Sequence, residues 1–341
     1  MAESISQLTL GTSLSLLAVL HYGPDRLRAP LLRALRCNSS QTKLKALLSR
    51  LVLIASISGV VTVNRILSHL ARNNWVLAKR RDWDWPNEVA VVTGGSGGIG
   101  ANIVAGLARR GIKVAVVDIV EPTQLAEHKN VRYFKCDITK KDDVDAVAAE
   151  IKAALGPASI LCNNAGIAHA HTILESSPGY LRKLFDVNVI SHFYTIQAFL
   201  PDMIARKKGH IVSTCSMSSF VTPAGLVDYA ASKAAVMALH EGLQGELKHR
   251  YQAPEVRTTV VHPTYVRTPL CDSYAKALEK SAAIQLAPET VADEIVAAIL
   301  SGSSQQIVLP RALALTSALR AFPWWFQELV RGSTREDMKR L

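Results

Sequence analysis

A tyrosine and a lysine four residues apart, Tyr229 and Lys233, are the pair in this sequence best suited to acid–base chemistry. In a helix, this spacing places both side chains on one face. A free phenol has a pKa of about 10, and a nearby ammonium group lowers that pKa by stabilising the phenolate. Tyr229 is therefore a candidate general acid or base, and Ser216 is placed upstream to hydrogen-bond the same substrate oxygen. A surface Tyr–Lys pair has the same spacing, so the assignment depends on the other motifs.

A glycine-rich turn indicates a nucleotide cofactor. Residues 89–93 predict an apolar strand, residues 101–110 predict a helix, and the turn between them has the pattern TGxxxGxG. Glycines let the backbone approach a pyrophosphate closely, and the helix N-terminus offers it unpaired N–H groups. An ordinary tight turn between a strand and a helix is the alternative. The predicted cofactor contacts in the turn are Gly94, Ser96, Gly98, Ile99 and Gly100.

Asp118 ends the next predicted strand and bears on the choice of cofactor. A carboxylate at this position accepts hydrogen bonds from the ribose hydroxyls of NAD and repels the 2′-phosphate of NADP. No Arg or Lys lies in the glycine turn, and Ile119 follows Asp118. The sequence therefore favours NAD over NADP. The alternative is that Asp118 only caps the end of its strand or the next helix.

The elements that position these groups alternate between strands and helices. Short, β-branched apolar segments predict strands buried on both faces, and helical stretches such as 141–154 and 228–250 separate most of them. This alternation predicts an α/β fold, a Rossmann-like doubly wound parallel sheet of about seven strands. The predicted strands are Val89–Thr93, Lys113–Asp118, Val131–Lys135, Ile160–Asn163, His210–Ser213, Thr258–His262 and Gln306–Leu309.

The first 85 residues differ from the rest in composition. They hold twelve Lys or Arg and four Asp or Glu, so +8 of the chain's net charge of +11 lies here. Two apolar runs of about 13 residues, Leu8–Leu20 and Leu51–Val63, are each shorter than the roughly 20 residues of a straight membrane span. Basic flanks attract anionic headgroups and favour the cytosolic side. We expect a membrane-associated hairpin or in-plane helix; packing of both runs on the folded domain is the alternative.

The chain therefore divides into three predicted regions: residues 1–85, which anchor the protein to a membrane, a cofactor-binding domain at residues 86–310, and a tail at residues 311–341. Trp83 and Trp85 lie at the first join, where we expect them at a lipid interface. The tail contains the aromatic cluster Pro323–Phe326 between basic residues. A second interfacial contact, a flap over the substrate and a packed helix are all compatible with this tail.

Composition and spacing disfavour several other classes of function. The five cysteines are odd in number, widely spaced and without a CxxC pair, which favours reduced thiols over disulfides or a zinc site. His169 and His171 lack a third ligand at a useful spacing, so no metal site is predicted. A protein that binds nucleic acid usually carries its excess charge on the folded domain, so we expect no nucleic-acid partner.

The motifs together resemble those of the short-chain dehydrogenases/reductases, over residues 86–310. The resemblance implies an NAD-dependent oxidoreductase in which Tyr229 exchanges a proton with the substrate and Ser216 positions the carbonyl. It implies that Lys233 lowers the pKa of the tyrosine and binds the nicotinamide ribose, and that Asn188 holds a relay water. The motifs that follow the glycine turn in the family's order are Asp137, Asn163–Gly166, Asn188, Ser216, Tyr229 with Lys233, and His262–Thr268. The implied cofactor contacts beyond the turn are Asp118, Asp137, Ile138, Asn164, Gly166, Tyr229, Lys233, Val266 and Thr268.

Two features depart from the core family. Pro263 is followed by Thr264 where the family usually has Pro-Gly, and the N-terminal extension is long. Basic, apolar extensions are similar to those of the membrane-bound branch, which includes retinol dehydrogenases and 17β-hydroxysteroid dehydrogenases of the endoplasmic reticulum and lipid droplets. This resemblance implies a lipophilic substrate, namely a retinoid, steroid or fatty alcohol. It also implies a homodimer on the cytosolic face of one of those membranes, with alcohol oxidation favoured by oxidised NAD pools.

The segment 263–287 follows the sixth strand, so we expect it to form a lid over the substrate at the carboxyl edge of the sheet, with Leu270 and Tyr274 shaping the pocket.

Two other functions compete with an active dehydrogenase. A catalytically silent NAD-binding adaptor would have lost Tyr229, Lys233 or Ser216, and all three are present. A nucleotide-sugar epimerase or dehydratase shares the Tyr–Lys pair but usually needs a larger C-terminal substrate domain.

Overall fold

We describe the chain from a computed structural model, which covers residues 2–35, 41–76, 82–122, 128–275, 278 and 283–333. The chain forms two compact units, Met1–Trp75 and Val76–Leu341. The predicted boundary after residue 85 differs because the two tryptophans just before it belong to the second unit. Trp83 and Trp85 stack with their ring centroids 5.0 Å apart and pack against the core of the sheet. Lys208 Nζ lies 5.1 Å from the Trp83 ring centroid, so this pair packs within the second unit, and its place at a lipid interface stays a prediction.

The first unit is helical. It contains α1 (Ala2–Tyr22), α2 (Asp25–Ala34) and α3 (Gln41–Arg72), and α1 packs along α3. With 32 residues, α3 is about 48 Å long, which exceeds the roughly 30 Å of a bilayer core. The helix is longer than the predicted apolar run because it continues through both polar flanks, so its length also permits a span. Among the described residues, α3 is the one helix long and apolar enough to cross a membrane.

The second unit is built on a seven-stranded parallel sheet with the order β3-β2-β1-β4-β5-β6-β9. The predicted doubly wound sheet is confirmed, and the order reverses between β1 and β4, where ligands bind in such folds. Every predicted strand is present to within one residue at each end. The strands are β1 (Val89–Thr93), β2 (Lys113–Asp118), β3 (Val131–Lys135), β4 (Ile160–Asn163), β5 (His210–Thr214), β6 (Arg257–Pro263) and β9 (Gln305–Leu309).

Helices cover both faces of this sheet. One apolar cluster joins the sheet to α4 (Gly98–Ala108) and α9 (Pro288–Ser301). A second cluster joins the other face to α5 (Lys141–Leu155), α7 (Ser191–Ala205) and α8 (Val227–His249). Alternate strand residues enter opposite clusters, and each fully buried aliphatic side chain contributes about 1.5–3 kcal/mol. The short helix α6 (Pro178–Phe185) begins at Ser177, whose hydroxyl accepts the N–H of Tyr180, and a π-helical turn, Asp186–Ile190, joins it to α7.

Two segments cross the carboxyl edge of the sheet. After β6 come β7 (Tyr265–Val266), a 3₁₀ segment at Pro269–Tyr274 and β8 (Gln285–Leu286). In this predicted lid, the side chain of Tyr274 and residues 276–277 and 279–282 lie outside the described residues. After β9 come a 3₁₀ segment at Arg311–Ala321 and α10 (Trp324–Ser333). The predicted separate tail therefore belongs, from residue 311 to 333, to the second unit.

Candidate active site

A cleft of about 1230 Å³ lies at the carboxyl edge of the sheet. The glycine turn and the loops after β2, β3 and β4 line one half of it. The other half is lined by the segments that follow β5, β6 and β9, and α6 with the π-helical turn adds Arg182, Lys183 and Asp186 to the lining. Tyr229 and Lys233 lie among the lining residues, and so do Ser216 and most of the predicted cofactor contacts. The elements thus bring the two predicted sites into one cavity.

The glycine turn is shaped by close backbone contacts. Gly94 has a φ of +63°, and a Cβ built on it would lie 2.8 Å from the Cα of Ala165. A Cβ on Gly100 would lie 2.0 Å from the carbonyl oxygen of Gly94. No L side chain fits either position, so the turn holds β1, the start of α4 and the loop after β4 in contact. The tight-turn alternative explains these contacts only in part, because Gly97 and Gly98 also line an open cleft at the helix N-terminus.

Asn164 ties three strands together behind the turn. Its backbone N–H donates to the Thr93 hydroxyl at 3.0 Å, and its side-chain amide donates to the carbonyl oxygens of Thr93 and Gly94. Its side-chain oxygen accepts from the hydroxyl of Thr214 at 3.3 Å. The side chain therefore fixes the floor of the cleft, and Asn164 also lines the cleft, where its contact with the cofactor stays a prediction.

Asp118 lies at the end of β2 and faces the glycine turn. One of its carboxylate oxygens accepts the backbone N–H of Ser96 at 3.0 Å, and the other accepts that of Val120 at 3.2 Å. A carboxylate offers about four acceptor sites, so each oxygen keeps capacity for a ribose hydroxyl. Asp118 therefore does cap the end of its strand, as the alternative interpretation holds. Its carboxylate also lines the cleft, where its remaining acceptor sites are open.

Asp137 and Ile138 line the cleft after β3. The carboxylate of Asp137 accepts both the backbone N–H and the hydroxyl of Thr139, and these bonds lower the pKa of Asp137. Lys140 lies 3.7 Å from its other oxygen. The carboxylate is thus ionised and orients its own loop, beside the nearly buried Ile138.

These features fit a nicotinamide dinucleotide. A helix N-terminus, an open glycine turn and a strand-end carboxylate lie along one wall of the cleft. Gly166 lies at the centre, where a Cβ would be 3.4 Å from Asn188 Oδ1 and 3.6 Å from Lys233 Nζ. Thr268 contacts the turn from the opposite side, since a Cβ on Gly98 would lie 3.1 Å from Thr268 Cγ2.

Tyr229 and Ser216 form a hydrogen-bonded pair in the cleft. Burial raises the pKa of the Tyr229 phenol well above its ordinary value, and the hydrogen bond from Ser216 opposes this rise only in part. The pKa prediction from the Tyr–Lys spacing was therefore wrong in direction for the protein by itself. Ser216 accepts the backbone N–H of Ser218 at 3.1 Å, which leaves its own proton free to donate.

Lys233 is held by the backbone. Its Nζ donates to the carbonyl oxygen of Thr214 at 2.9 Å and lies 5.6 Å from the centroid of the Tyr229 ring. Burial lowers the pKa of Lys233, which weakens its hold on a proton. The ammonium thus lies beside the ring, and burial has the largest effect on the pKa of the phenol.

Asn188 lies in the π-helical turn and is fully buried. Its side-chain oxygen accepts the backbone N–H of Ile167 at 2.8 Å, and its amide donates to the Ile167 carbonyl and to the Ser232 hydroxyl. Local π turns are frequent at functional sites because they redirect a side chain within a helix. Here the side chain locks the loop after β4 to α8, next to Tyr229 and Lys233.

His171 has a partner other than a metal. Its Nε2 lies 2.8 Å from a carboxylate oxygen of Asp228, and both side chains are largely buried. The other oxygen of Asp228 accepts the backbone N–H of Tyr229 at 2.7 Å. Among the described residues, no group of three or more His, Cys, Asp or Glu is placed to hold a metal ion. The pair instead fixes the loop after β4 at the start of the catalytic helix.

The substrate half of the cleft is apolar and comes from distant segments. Its aliphatic lining residues are Val221, Leu226, Leu270, Ile284, Leu313 and Val330. The lid prediction is consistent with this lining, since Leu270 and Cys271 line the cleft. Of the three alternatives for the tail, a flap over the cleft and a packed helix both describe it, because Val330 lines the cavity and packs on the core.

Several site residues were missed from the sequence. Thr214 holds the lysine, and Asp228 holds His171. The predicted motif His262–Thr268 also begins with an unassigned contact, since His262 Nδ1 lies 3.2 Å from the carbonyl oxygen of Ser216. Burial lowers the pKa of His262 to about 4, so its ring is neutral near pH 7. Each lies within two residues of a motif or strand end, but their spacing alone carries no signal. Leu313 and Val330 carried no signal in the sequence, because only tertiary packing brings them to the cleft.

Comparisons with known proteins identify the family of the chain. Residues 88–279 match the family described as short chain dehydrogenase. Dehydrogenase RED2 of Cochliobolus heterostrophus is 43% identical over 60% of this chain and 76% of its own length. Estradiol 17-beta-dehydrogenase 11 of Homo sapiens is 32% identical over 69% of this chain and 79% of its own length. A short chain dehydrogenase/reductase from Burkholderia phymatum, solved in complex with NAD, is 26% identical with a TM-score of 0.64, covering 73% of this chain and 97% of its own.

The predicted resemblance is confirmed, including its extension to the 17β-hydroxysteroid dehydrogenases. The same matches make the chain an oxidoreductase that acts on alcohols or carbonyls with a nicotinamide cofactor. The match spans the glycine turn, the Tyr–Lys pair and the first part of the lid. The chain belongs to the short-chain dehydrogenase family.

Proposed function

We propose that this protein interconverts a primary or secondary alcohol and its carbonyl on a lipophilic substrate, namely a retinoid, a steroid or a fatty alcohol, with NAD(H). The observation that carries the proposal is the position of Tyr229 and Ser216. They lie in a cleft whose substrate half is lined by aliphatic side chains. A long apolar substrate fills such a half with little loss of hydration, whereas a sugar would leave its hydroxyls unpaired.

In this proposal, Tyr229 carries the proton. In the reductive direction its phenol donates to the carbonyl oxygen, and in the oxidative direction its phenolate accepts the alcohol proton. The Ser216 hydroxyl donates to the same oxygen and holds it near Tyr229. A bound nicotinamide dinucleotide supplies or accepts the hydride. Gly94, Gly98 and Gly100 would admit its pyrophosphate and Lys233 would contact its ribose.

The preference for NAD depends on Asp118. Its carboxylate faces the cleft, and the side chains of Ile119 and Val120 beyond it are apolar and exposed. A 2′-phosphate would meet this negative charge with no described Arg or Lys directly after it. Replacing both Asp118 by Ser and Ile119 by Arg should therefore favour NADP. We expect the ratio of kcat/KM for NAD over that for NADP to fall by at least about a hundredfold, which is about 2.7 kcal/mol.

We also propose that the first unit holds the protein at the cytosolic face of the endoplasmic reticulum or of a lipid droplet, as a homodimer. Support comes from the length of α3 and from the exposed apolar side chains along it. Fluorescence imaging of the full chain, compared with a variant in which α3 carries Ile57→Lys and Val60→Lys, tests the attachment. The wild type should label membranes, and the variant should be largely released from them.

The substrate proposal is tested on the membrane-bound full chain with a panel of retinoids, steroids and long-chain alcohols. NAD and NADP are compared for each substrate. We expect turnover of at least one lipophilic alcohol with NAD and a clear preference over short polyols. A panel in which only sugars or polyols react would overturn the substrate class. If NADP is preferred by a wide margin, the role of Asp118 is wrong.

A further inference from the structure

Large apolar side chains are exposed around the mouth of the cleft. We call this set the rim: Ile173, Leu174, Leu315, Trp324, Trp325 and Leu329. Leu174 is 97% exposed, Leu315 is 78% exposed and Trp324 is 69% exposed. The first two rim residues follow the loop after β4, whose residues 164–167 line the cleft, and the other four lie in the segment 311–333, whose residues Leu313, Thr316 and Val330 line it. Scattered exposed leucines are ordinary, but a concentration beside one cleft marks an interaction surface.

Helix α10 links the rim to the cleft wall. On its inner face, Phe326 and Val330 pack against the cluster that contains Phe220, Val221 and Leu319. Val330 also lines the cleft. On the solvent-exposed side of the same helix lie Trp324, Trp325 and Leu329. A molecule that covers the outer face therefore contacts a helix whose inner face bounds the substrate site.

The two tryptophan pairs of the chain have different environments. Trp83 and Trp85 are partly buried against the core, whereas Trp324 and Trp325 are each more than two-thirds exposed. The guanidinium carbon of Arg331 lies 4.8 Å from the centroid of the Trp324 ring. Tryptophan beside arginine is the combination that sits at lipid headgroups, since the indole ring is amphipathic and the guanidinium pairs with phosphate.

Charge points to the same partner. The described segment 311–333 contains Arg311, Arg320 and Arg331 and one acidic residue, Glu328. Arg311 pairs with Glu294, Arg331 pairs with Glu328, and Arg320 donates to the carbonyl oxygen of Ser219, so these groups together carry a net charge of +1. A net positive, aromatic surface complements an anionic lipid surface. A protein partner would more commonly be met by a surface with both signs of charge around an apolar centre.

We propose that the rim docks on an anionic lipid surface, so that the cleft opens toward the bilayer and the substrate enters from the lipid phase. This inference rests on the proposed function, because it assumes a substrate that partitions into membranes. The rim contacts are separate from α3, which we propose to anchor the chain. The rim then decides how the substrate reaches the cleft and not whether the protein is attached.

The first experiment compares two alcohols with the same reacting group. Hexadecan-1-ol partitions into vesicles of phosphatidylcholine and phosphatidylserine, whereas butan-1-ol stays in water. In the full chain carrying Trp324→Ala, Trp325→Ala and Leu329→Ala, we expect the apparent KM for hexadecan-1-ol to rise about tenfold. The kcat/KM for butan-1-ol should stay within about twofold of the wild type. Cosedimentation should show the variant still bound to the vesicles.

Tyr251→Ala is the matched control. Tyr251 is a half-exposed aromatic residue between α8 and β6, at the amino edge of the same sheet. Its replacement should change neither the KM for hexadecan-1-ol nor the kcat/KM for butan-1-ol. If the triple variant has the wild-type KM for hexadecan-1-ol, the proposed role of the rim is wrong. It is also wrong if kcat/KM falls equally for both alcohols, because that result would indicate damage to the cleft.

The second experiment does not need turnover. Brominated lipids quench tryptophans that reach the acyl region, and Trp324→Phe with Trp325→Phe removes the two rim indoles. We expect the quenched fraction of the fluorescence to fall clearly in this variant. Unchanged quenching would overturn the proposed lipid contact of the rim. Self-association without lipid that is lost in the variant would also overturn it, because a second copy of the chain would then cover the rim. If the wild type oxidises no alcohol of the lipophilic panel but the quenching falls, the proposed function fails and the rim stands.

Discussion

The two halves of the cleft are built in different ways. In the cofactor half, the contacts run through backbone atoms of loops that directly follow β1, β2 and β4, such as the N–H of Ser96 on Asp118 and that of Asn164 on Thr93. In the substrate half, aliphatic side chains such as Leu226, Leu270 and Val330 come from segments up to about one hundred residues apart.

This difference has a consequence for substitution. A side chain added to the cofactor half meets backbone, which cannot move without disturbing the strands. A side chain removed from the substrate half leaves space that a flexible substrate or a neighbouring side chain can fill in part. The cofactor half should therefore tolerate little change, and the substrate half should tolerate changes that alter specificity. The predictions below test this contrast.

Tyr229→Phe should have the largest effect, because Tyr229 lies where the two halves meet. Loss of the phenolic proton should lower kcat by about 10²–10⁴-fold, while binding of NADH, followed by its fluorescence, stays within about twofold of the wild type. The phenyl ring keeps the apolar contacts of Tyr229 with Leu226 and Cys271. Turnover at the wild-type rate would place the chemistry elsewhere and would favour a silent NAD-binding adaptor that carries a contaminating activity.

The pH dependence should differ between the two directions of the reaction. Burial raises the pKa of Tyr229, so the phenol keeps its proton through neutral pH. Reduction needs that proton and should be nearly constant from about pH 6 to 8, falling only at higher pH. Oxidation needs the phenolate, so its rate should rise by up to about tenfold per pH unit over the same range. Initial rates in both directions between about pH 6 and 10 measure this. An oxidation rate that falls as pH rises contradicts Tyr229 as the base.

Gly98→Ala perturbs the cofactor half alone. Gly98 has a φ of +54°, and the added Cβ would lie 3.1 Å from Thr268 Cγ2. The strained backbone and the crowded turn should raise the KM for NAD by about tenfold or more, with the KM for the alcohol within about twofold. Gly245→Ala in α8 is the matched control, because Gly245 does not line the cleft and its Cβ would meet no atom within 4 Å. Equal effects of both variants would mean that the turn does not bind the cofactor closely.

Leu270→Ala is the converse change in the substrate half. Leu270 lines the cleft and packs beside Tyr229 and Cys271. Removing most of its side chain should raise the KM for a lipophilic alcohol by about tenfold, the equivalent of about 1.4 kcal/mol of apolar contact. The KM for NAD should be unchanged. If both KM values rise together, the lid assignment is wrong and the contrast between the halves fails.

The sequence predicted the cofactor half better than the substrate half, for the same structural reason. Gly94, Asp118 and Tyr229 lie at fixed offsets from strands or helices, so the position of each could be derived from the chain. The packing of Leu313 and Val330 into the cleft depends on how the segment after β9 folds back, which no local pattern encodes. The pKa of Tyr229 was misjudged because the spacing reveals the nearby ammonium of Lys233 but not the burial that raises the pKa of the phenol.

The smallest effect is expected at the His171–Asp228 pair, which joins the substrate-side loop to the catalytic helix. His171→Ala leaves the buried Asp228 with only the Tyr229 N–H and a long contact to Ser176. An unsatisfied buried partner costs about 1–3 kcal/mol, so thermal unfolding should shift down by several degrees, or about 2–4 °C per kcal/mol.

The same variant should lower kcat/KM for the alcohol by only about threefold to tenfold, because Asp228 still holds the N–H of Tyr229. Asp228→Asn in the His171→Ala background removes the unpaired charge and should recover part of the thermal stability. A double variant less stable than His171→Ala would mean that the carboxylate is needed for the start of the helix. The pair would then belong to the fold of α8 and not to the positioning of the substrate loop.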